Sequence, residues 1–273
     1  MTAGATAEDY AASAARTRIG DGETVVLMLH GLGGDRQQPL GLLPVVPAGL
    51  TVIAPDQRAH GGSPVIGEAE DFRVSQLADD AAALLRSEGV ADRPLIVVGI
   101  SMGAAVALQL LERGDHDIRG ALLIRPAFGR TPWPEHLRIF REVAALLRSQ
   151  GPDGVETVVS TPEYRRISEV SEAGATSVRE QFTKPEAERR VVRLENVPAN
   201  VSITGDTPWT PPTPVTVVGA AGDPVHPLEI ARLWHAHLHG SALIELPSRD
   251  EHPAQYQEAS IDITYRSLVE WSH

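Results

Sequence analysis

The chain has 273 residues, 42% of them hydrophobic, and its 24 basic and 36 acidic residues give a formal net charge of −12. This charge opposes binding to nucleic-acid phosphates or to an anionic membrane, and no Lys/Arg cluster offsets it locally. The absence of cysteine excludes disulfides, thiolate catalysis and cysteine-ligated metals. The first residues lack the basic and apolar regions of a signal peptide, so we expect a cytoplasmic protein.

Apolar runs in the first half of the chain predict buried strands, with helices between them. The predicted strands are 25–29, 51–54, 95–98 and 120–124, with a candidate edge strand at 16–19. The main helices are predicted at 75–87 and from 102 to 113. This alternation favours an α/β fold around a parallel sheet, and the length fits one large domain with an insertion or two small domains.

The pattern changes after Pro126 and resumes near Pro214. Between these points the sequence predicts charged helical segments at 134–149, 162–172, 176–182 and 184–195. Strands follow at 215–219 and 242–246, and helices at 227–239 and from the loop at 247–253 to about 271. We predict a doubly wound, mostly parallel sheet in a core of residues 1–127 and 214–273. A helical lid, residues 128–213, is inserted between two late strands and covers their carboxyl ends, where ligands bind.

A serine lies between the strand at 95–98 and the helix that follows it, within Gly99-Ile-Ser101-Met-Gly103. This context is typical of a nucleophile elbow, in which a strained turn presents the serine above the sheet. The turn brings strand and helix so close that side chains at 99 and 103 would collide. The sequence therefore predicts that Ser101 is a nucleophile.

Further motifs carry a family resemblance. In chain order they are His30-Gly31, Asp56-x-Arg58-x-His60-Gly61-x-Ser63, Gly99-x-Ser101-x-Gly103, Gly222-Asp223-x-x-x-Pro227 and His252. From about residue 22 to its end, the chain resembles the α/β-hydrolase superfamily in its lid-bearing serine hydrolase or esterase branch. The resemblance implies the α/β-hydrolase fold and a catalytic triad in the chain order serine, acid, histidine.

The triad implied by the resemblance is Ser101, Asp223 and His252. Asp223 lies just past the predicted strand 215–219, and His252 lies in the loop after the next strand. A serine hydroxyl needs a base that takes its proton, and the base needs a carboxylate that holds its tautomer. Both positions fit the topology of the superfamily.

Other histidines compete for the role of base. His30 and His60 precede the elbow and match structural turn positions of the family. His226 lies three residues after Asp223 at the start of a predicted helix. We expect His226 to be exposed or to support the triad from outside.

Other acids compete with Asp223. Asp250 and Glu251 adjoin His252 and are expected to be solvated loop charges. An alternative acid position of the superfamily, after the strand at 120–124, holds Arg125. The loop 248–253 also departs from the family's usual Gly-His turn, since its histidine follows charged residues and precedes Pro253.

By the same resemblance, the main-chain N–H groups of Leu32 and Met102 form the oxyanion hole. Gly31, Phe128, Trp133 and Trp209 are candidate pocket residues, although the aromatic side chains fit plain packing equally well. The repeat His235-x-His237-x-His239 lacks a carboxylate that would complete a metal site, so no metal is expected. No cofactor is expected either.

These observations predict a serine hydrolase that cleaves a carboxylic ester, lactone or thioester of a small, largely apolar molecule. A C–C bond hydrolase or a natural-product tailoring enzyme would use the same fold, and fold alone does not choose among them. Haloalkane dehalogenases and epoxide hydrolases are disfavoured because their nucleophile is an aspartate. A catalytically silent binding protein is the alternative of another class. The substrate and the oligomeric state cannot be inferred from the sequence.

Overall fold

A sheet of seven strands forms the centre of the computed structural model, which describes residues 5–272. The strands are β1 (Arg16–Ile19), β2 (Thr24–Leu29), β3 (Leu50–Pro55), β4 (Leu95–Ile100), β5 (Ile118–Ile124), β6 (Val215–Ala220) and β7 (Ala242–Leu246). Their order across the sheet is β1-β3-β2-β4-β5-β6-β7. Strand β1 is antiparallel to β3, and all other neighbouring strands are parallel. The predicted mostly parallel sheet is confirmed.

Helices cover both faces of the sheet. The helices of residues 5–272 are α1 (Ala7–Ser13), α2 (Gln37–Leu40), α3 (Val74–Ser87), α4 (Met102–Arg113), α5 (Ile139–Gln150), α6 (Gly154–Val158), α7 (Pro162–Val170), α8 (Glu172–Thr183), α9 (Val191–Asn196), α10 (Leu228–His237) and α11 (Pro253–Trp271). Apolar side chains of α3, α4 and α10 pack on one face, and Leu268 and Trp271 of α11 pack on the other. Every residue of β2, β3, β4 and β6 is buried. Burial on both faces explains why these strands are apolar without alternation.

The chain between β5 and β6 contains helices α5 to α9. The predicted insertion 128–213 falls within this stretch, and its function as a lid stays a prediction. The helix predicted at 184–195 is shorter in the structure, because α8 ends at Thr183 and α9 begins only at Val191. Lys184 has extended backbone angles, as is favoured for a residue that precedes a proline. Residues 1–4 and 273 of the predicted core lie outside the described residues.

The turn between β4 and α4 has the strained geometry that the sequence predicts. Ser101 has φ +54°, a region that residues other than glycine rarely adopt. A Cβ on Gly99 would overlap the backbone of Gly103, and a Cβ on Gly103 would overlap the carbonyl of Leu29. Glycine at both positions therefore allows α4 to begin directly against β4 and β2.

Within residues 5–272, no helix combines the length and the apolar character needed to cross a bilayer.

The close approach at Gly103 predicts the effect of a small substitution. We expect Gly103→Ala to lower the free energy of unfolding by about 1–3 kcal/mol, because the added methyl group meets backbone atoms that cannot turn away. Gly41→Ala is the matched control, since its Cβ would lie 3.4 Å from the nearest atom, the carbonyl oxygen of Gln37. Urea denaturation of both variants measures the difference. Equal stability of the two variants would contradict the packing described for the elbow.

Candidate active site

Ser101 lies at the carboxyl end of β4, with its side chain buried beside the turn that follows β6. Its main-chain N–H donates to the carbonyl of Ile124 at the end of β5, at 2.9 Å. Its Oγ lies 2.9 Å from Nε2 of His226. The serine hydroxyl therefore has an imidazole in position to take its proton.

His226 is held by Asp223 through a short turn after β6. Asp223 Oδ1 accepts the main-chain N–H groups of Val225 and His226, each at 3.0 Å. These bonds form an Asx turn, which brings the side chains of residues 223 and 226 together. Asp223 Oδ2 lies 3.1 Å from Nδ1 of His226. The hydrogen-bond network thus fits the tautomer in which Nδ1 donates to Asp223 and Nε2 accepts from Ser101.

Arg125 reaches the same carboxylate from the end of β5. Its Nη1 donates to Asp223 Oδ2 at 3.1 Å, and both side chains are buried. Arg125 has φ +46°, so its backbone adopts an unfavourable conformation at this point. Asp223 is therefore fixed by donors from its own turn and from the neighbouring strand.

These contacts shift the pKa values of the paired groups. Burial raises the pKa of Asp223, but His226 and Arg125 outweigh burial and hold it well below its ordinary value of 3.8. The pKa of His226 lies below 6.5, chiefly because burial disfavours the charged ring; Asp223 opposes this shift, and Arg125 and Arg249 add to it. At neutral pH the pair is a carboxylate and a neutral imidazole, which is the state a general base requires.

The structure does not bring His252 to Ser101, although the sequence analysis placed the base there. His252 is exposed and precedes the first residue of α11, where its main-chain N–H donates to the carbonyl of Ser248. From the same loop, the side chain of Arg249 lines the cavity at Ser101. The expectation that His226 is exposed is corrected: its side chain is 14% exposed and contacts both Ser101 and Asp223.

A local signal for His226 exists in the sequence. An aspartate whose side chain accepts the N–H groups two and three residues later is a common turn, and Asp223-Pro-Val-His226 has that spacing. In such a turn, sequence neighbours can contact each other through their side chains. Asp223 and His226 therefore pair although only three positions separate them in the sequence.

Two main-chain N–H groups beside Ser101 have no acceptor. Those of Leu32 and Met102 donate to no group within residues 5–272. The preceding N–H, of Gly31, is occupied by the side chain of Gln38 at 2.7 Å. A Cβ on Gly31 would lie 3.3 Å from Cβ of Ser101, so this loop runs directly against the serine.

A small cavity of about 60 Å³ opens at Ser101. Gly31 and Leu32 line one side of it, and Gly174 and Ser177 of α8 line another. Its lining also includes the side chains of Arg125, Asp223, His226 and Arg249. This mostly polar lining does not favour the largely apolar substrate expected from the sequence.

The predicted aromatic pocket residues lie away from this cavity. Phe128 is buried, and its carbonyl accepts the indole N–H of Trp234 at 2.7 Å. The ring of Trp133 lies under the guanidinium of Arg141, at 4.1 Å. Trp209 pairs with the end of α10 through main-chain hydrogen bonds. Gly31 is thus the predicted pocket residue that lines the cavity.

His30 and His60 are buried below the site and bond to the backbone. Nδ1 of His30 donates to the carbonyl of Gly31, and its Nε2 accepts the N–H of Gln57. Burial lowers the pKa of His30 to about 4. The two rings lie 4.9 Å apart, so they pack as neutral structural groups at the turns after β2 and β3.

Asp250 differs from the solvated charge that the sequence analysis expected. Its carboxylate accepts the hydroxyl of Ser171 at 2.6 Å and the N–H of Ala173 at 2.8 Å. The loop that carries Arg249 is therefore attached to the start of α8.

Of the histidines near the end of α10, His235 contacts a neighbouring side chain, whereas Nδ1 of His237 has no hydrogen-bond partner among residues 5–272. Nδ1 of His235 lies 3.0 Å from the hydroxyl of Ser241. Across residues 5–272, no group of three or more His, Asp or Glu side chains is arranged to hold a metal ion.

Comparison with known proteins identifies relatives over nearly the whole chain. The chain is 27% identical over 228 residues to a pimeloyl-[acyl-carrier protein] methyl ester esterase of Aromatoleum aromaticum, which covers 77% of this chain and 84% of the relative. A solved thermophilic esterase from Thermogutta terrifontis, with malate bound, superposes with a TM-score of 0.71 at 23% identity, over 95% and 94% of the two chains. The enol-lactonase from Burkholderia xenovorans superposes with a TM-score of 0.69 at 18% identity, over 94% of this chain and 96% of the enol-lactonase chain.

A family model covers both the elbow and the turn that carries Asp223 and His226. The model of the Alpha/beta hydrolase family matches residues 26–259. The match includes six of the seven strands, from β2 to β7, as well as the helices between β5 and β6. The chain therefore belongs to the α/β-hydrolase family.

Proposed function

We propose that the protein is a serine hydrolase that cleaves a carboxylic ester, with Ser101 as nucleophile, His226 as general base and Asp223 as the residue that orients His226. The hydrogen-bonded series from Ser101 Oγ through the His226 ring to Asp223 Oδ2 carries this proposal. In it, the base faces the nucleophile with one ring nitrogen and the carboxylate with the other, which is the geometry of acyl transfer through a triad.

The first half of the reaction forms an acyl-enzyme. Ser101 Oγ attacks the ester carbonyl carbon while His226 Nε2 takes the hydroxyl proton. The resulting oxyanion accepts hydrogen bonds from the N–H groups of Leu32 and Met102, which have no other acceptor among the described residues. The C–O bond to the alcohol then breaks, and His226 gives its proton to the departing oxygen.

The second half returns the enzyme to its starting state. His226 takes a proton from water, whose oxygen attacks the acyl carbon. The second tetrahedral intermediate releases the carboxylic acid, and the proton on Nε2 returns to Ser101 Oγ. Asp223 remains ionised throughout and stabilises the imidazolium that forms twice in each cycle.

The relatives support an ester as the substrate, since the A. aromaticum relative is named a methyl ester esterase. The alternatives of C–C cleavage and rearrangement have no observation in their favour. We also propose that residues 128–213 form a lid over the site. Gly174 and Ser177 of α8, which line the Ser101 cavity, support this role.

Replacing each of the two candidate histidines by alanine tests the proposal. We expect His226→Ala to lower kcat/KM for a short-chain p-nitrophenyl ester about 100- to 10,000-fold, because the base is lost. His252→Ala is the matched control and should keep activity within about 3-fold, since its ring is exposed and away from Ser101. Steady-state kinetics of both variants, with circular dichroism as a check on folding, gives the comparison.

The opposite ranking of the two variants would give the role of base to His252 and overturn our choice of His226. Labelling with a fluorophosphonate probe examines the nucleophile separately. Wild-type protein should be labelled and Ser101→Ala should not, with mass spectrometry locating the modified residue. Absence of labelling together with unchanged ester turnover in Ser101→Ala would refute the serine hydrolase proposal.

The environment of His226 predicts the pH dependence. The base must be neutral, and its pKa lies below 6.5, so activity should be retained as pH falls through 6.5 and be lost only at lower pH. Arg249→Gln removes a positive charge that disfavours the imidazolium, so the acidic midpoint of kcat/KM should move to higher pH.

The pH profile of kcat/KM is measured with a neutral ester, so that the charge of the substrate does not affect the midpoint. Arg232→Gln serves as the control because Arg232 is exposed and pairs with Glu245 at 2.7 Å. Its acidic midpoint should match that of the wild type. An unchanged or lower midpoint in Arg249→Gln would contradict the charge effect described for this arginine.

A further inference from the structure

Two arginines line the Ser101 cavity, and both have guanidinium donors that no described residue uses. Arg125 donates to Asp223 through Nη1, while its Nε and Nη2 have no acceptor within residues 5–272. Arg249 lines the same cavity and makes neither a hydrogen bond nor an ion pair with any described residue. Neither the triad chemistry nor the oxyanion hole needs these free donors.

The charges around the cavity do not balance. Arg125 and Arg249 are positive, Asp223 is the one carboxylate of the lining, and His226 is neutral at neutral pH. The lining therefore carries one excess positive charge, in a chain whose formal net charge is −12. A half-buried cation without a partner is unfavourable, and an anion placed beside it restores the balance.

The carboxylates near Arg249 do not supply this partner. Asp250, its neighbour in the chain, accepts hydrogen bonds from Ser171 and Ala173 at the start of α8. Asp223 already accepts from Arg125 and from both the ring and the main chain of His226. Burial and repulsion from Arg125 lower the pKa of Arg249, and the attraction of Asp223 and Asp250 does not offset them.

We infer that Arg125 and Arg249 bind a carboxylate of the substrate, so that the preferred ester carries a free acid group close to the scissile carbonyl. This inference rests on the proposed function, because it names the substrate class of the same site. A guanidinium presents parallel N–H donors that match the two oxygens of a carboxylate. The cavity lies directly at Ser101, so a carboxylate held there by the two arginines would be next to the reacting ester.

The position of Arg249, in the loop after β7, supports its role in substrate recognition. The resemblance to the family led us to expect the base in the loop after β7, but His226 provides a base from the turn after β6. The loop after β7 is thereby free to present a different side chain to the cavity, and Arg249 is that side chain.

A matched pair of esters tests the inference at pH 8, where His226 is neutral in every variant. Wild-type protein should hydrolyse monomethyl succinate with a higher kcat/KM than dimethyl succinate. Arg249→Gln should lower kcat/KM for the monomethyl ester about 10- to 100-fold, mainly through KM, and change the dimethyl ester less than about 3-fold. Arg249→Lys should recover part of the loss, and Arg232→Gln should leave both values unchanged.

Binding of succinate, measured by calorimetry, tests the inference without ester hydrolysis. The dissociation constant should rise at least about 10-fold in Arg249→Gln and stay unchanged in Arg232→Gln. Equal loss for the two esters, or equal succinate binding in wild type and Arg249→Gln, would overturn the inference while ester hydrolysis stands. Absence of fluorophosphonate labelling together with unchanged ester turnover in Ser101→Ala would instead refute the proposed function, and succinate binding would still show whether the arginines hold a carboxylate.

Discussion

The carboxylate of Asp223 accepts four hydrogen bonds, and the arrangement around Ser101 depends on them. Two come from the main chain of Val225 and His226 and fold the turn after β6. The other two come from the His226 ring and from Arg125. Because the group is buried, loss of any donor leaves a charged acceptor less satisfied in a medium that solvates it poorly. The same contacts fold the turn, orient the base and place a guanidinium beside the nucleophile.

The sheet could be predicted because its signal is local. Runs of Val, Ile and Leu are long enough to be strands, and they alternate with helical stretches. Because the strands are buried on both faces, they are continuously apolar and easily recognised. The elbow could be predicted for the same reason, since two glycines and a serine at fixed spacing describe one turn. The start of α9 was harder to predict, because residues 184–195 have the composition of a helix although Pro185 interrupts them.

The histidine that contacts Ser101 could not be predicted by the same route, since its position depends on where separate elements meet. Family topology indicated the loop after β7, and His252 is there, but its side chain points to solvent at the start of α11. His226 reaches Ser101 because β6 lies two strands away from β4 and ends at the same edge of the sheet. The free donors of Arg249 became visible only with the structure, because an unpaired cation has no sequence pattern.

Through Asp250, the loop after β7 is attached to the start of α8. The nucleophile and base are carried by turns of the central sheet, whereas Arg249 is carried by a loop bonded to Ser171 and Ala173. A displacement of α8 would therefore pull on the arginine and leave the proton path in place. Opening of the proposed lid would release an anion bound by Arg249 and leave Ser101 and His226 in place, so that release of an acidic product would not disturb the proposed catalytic residues.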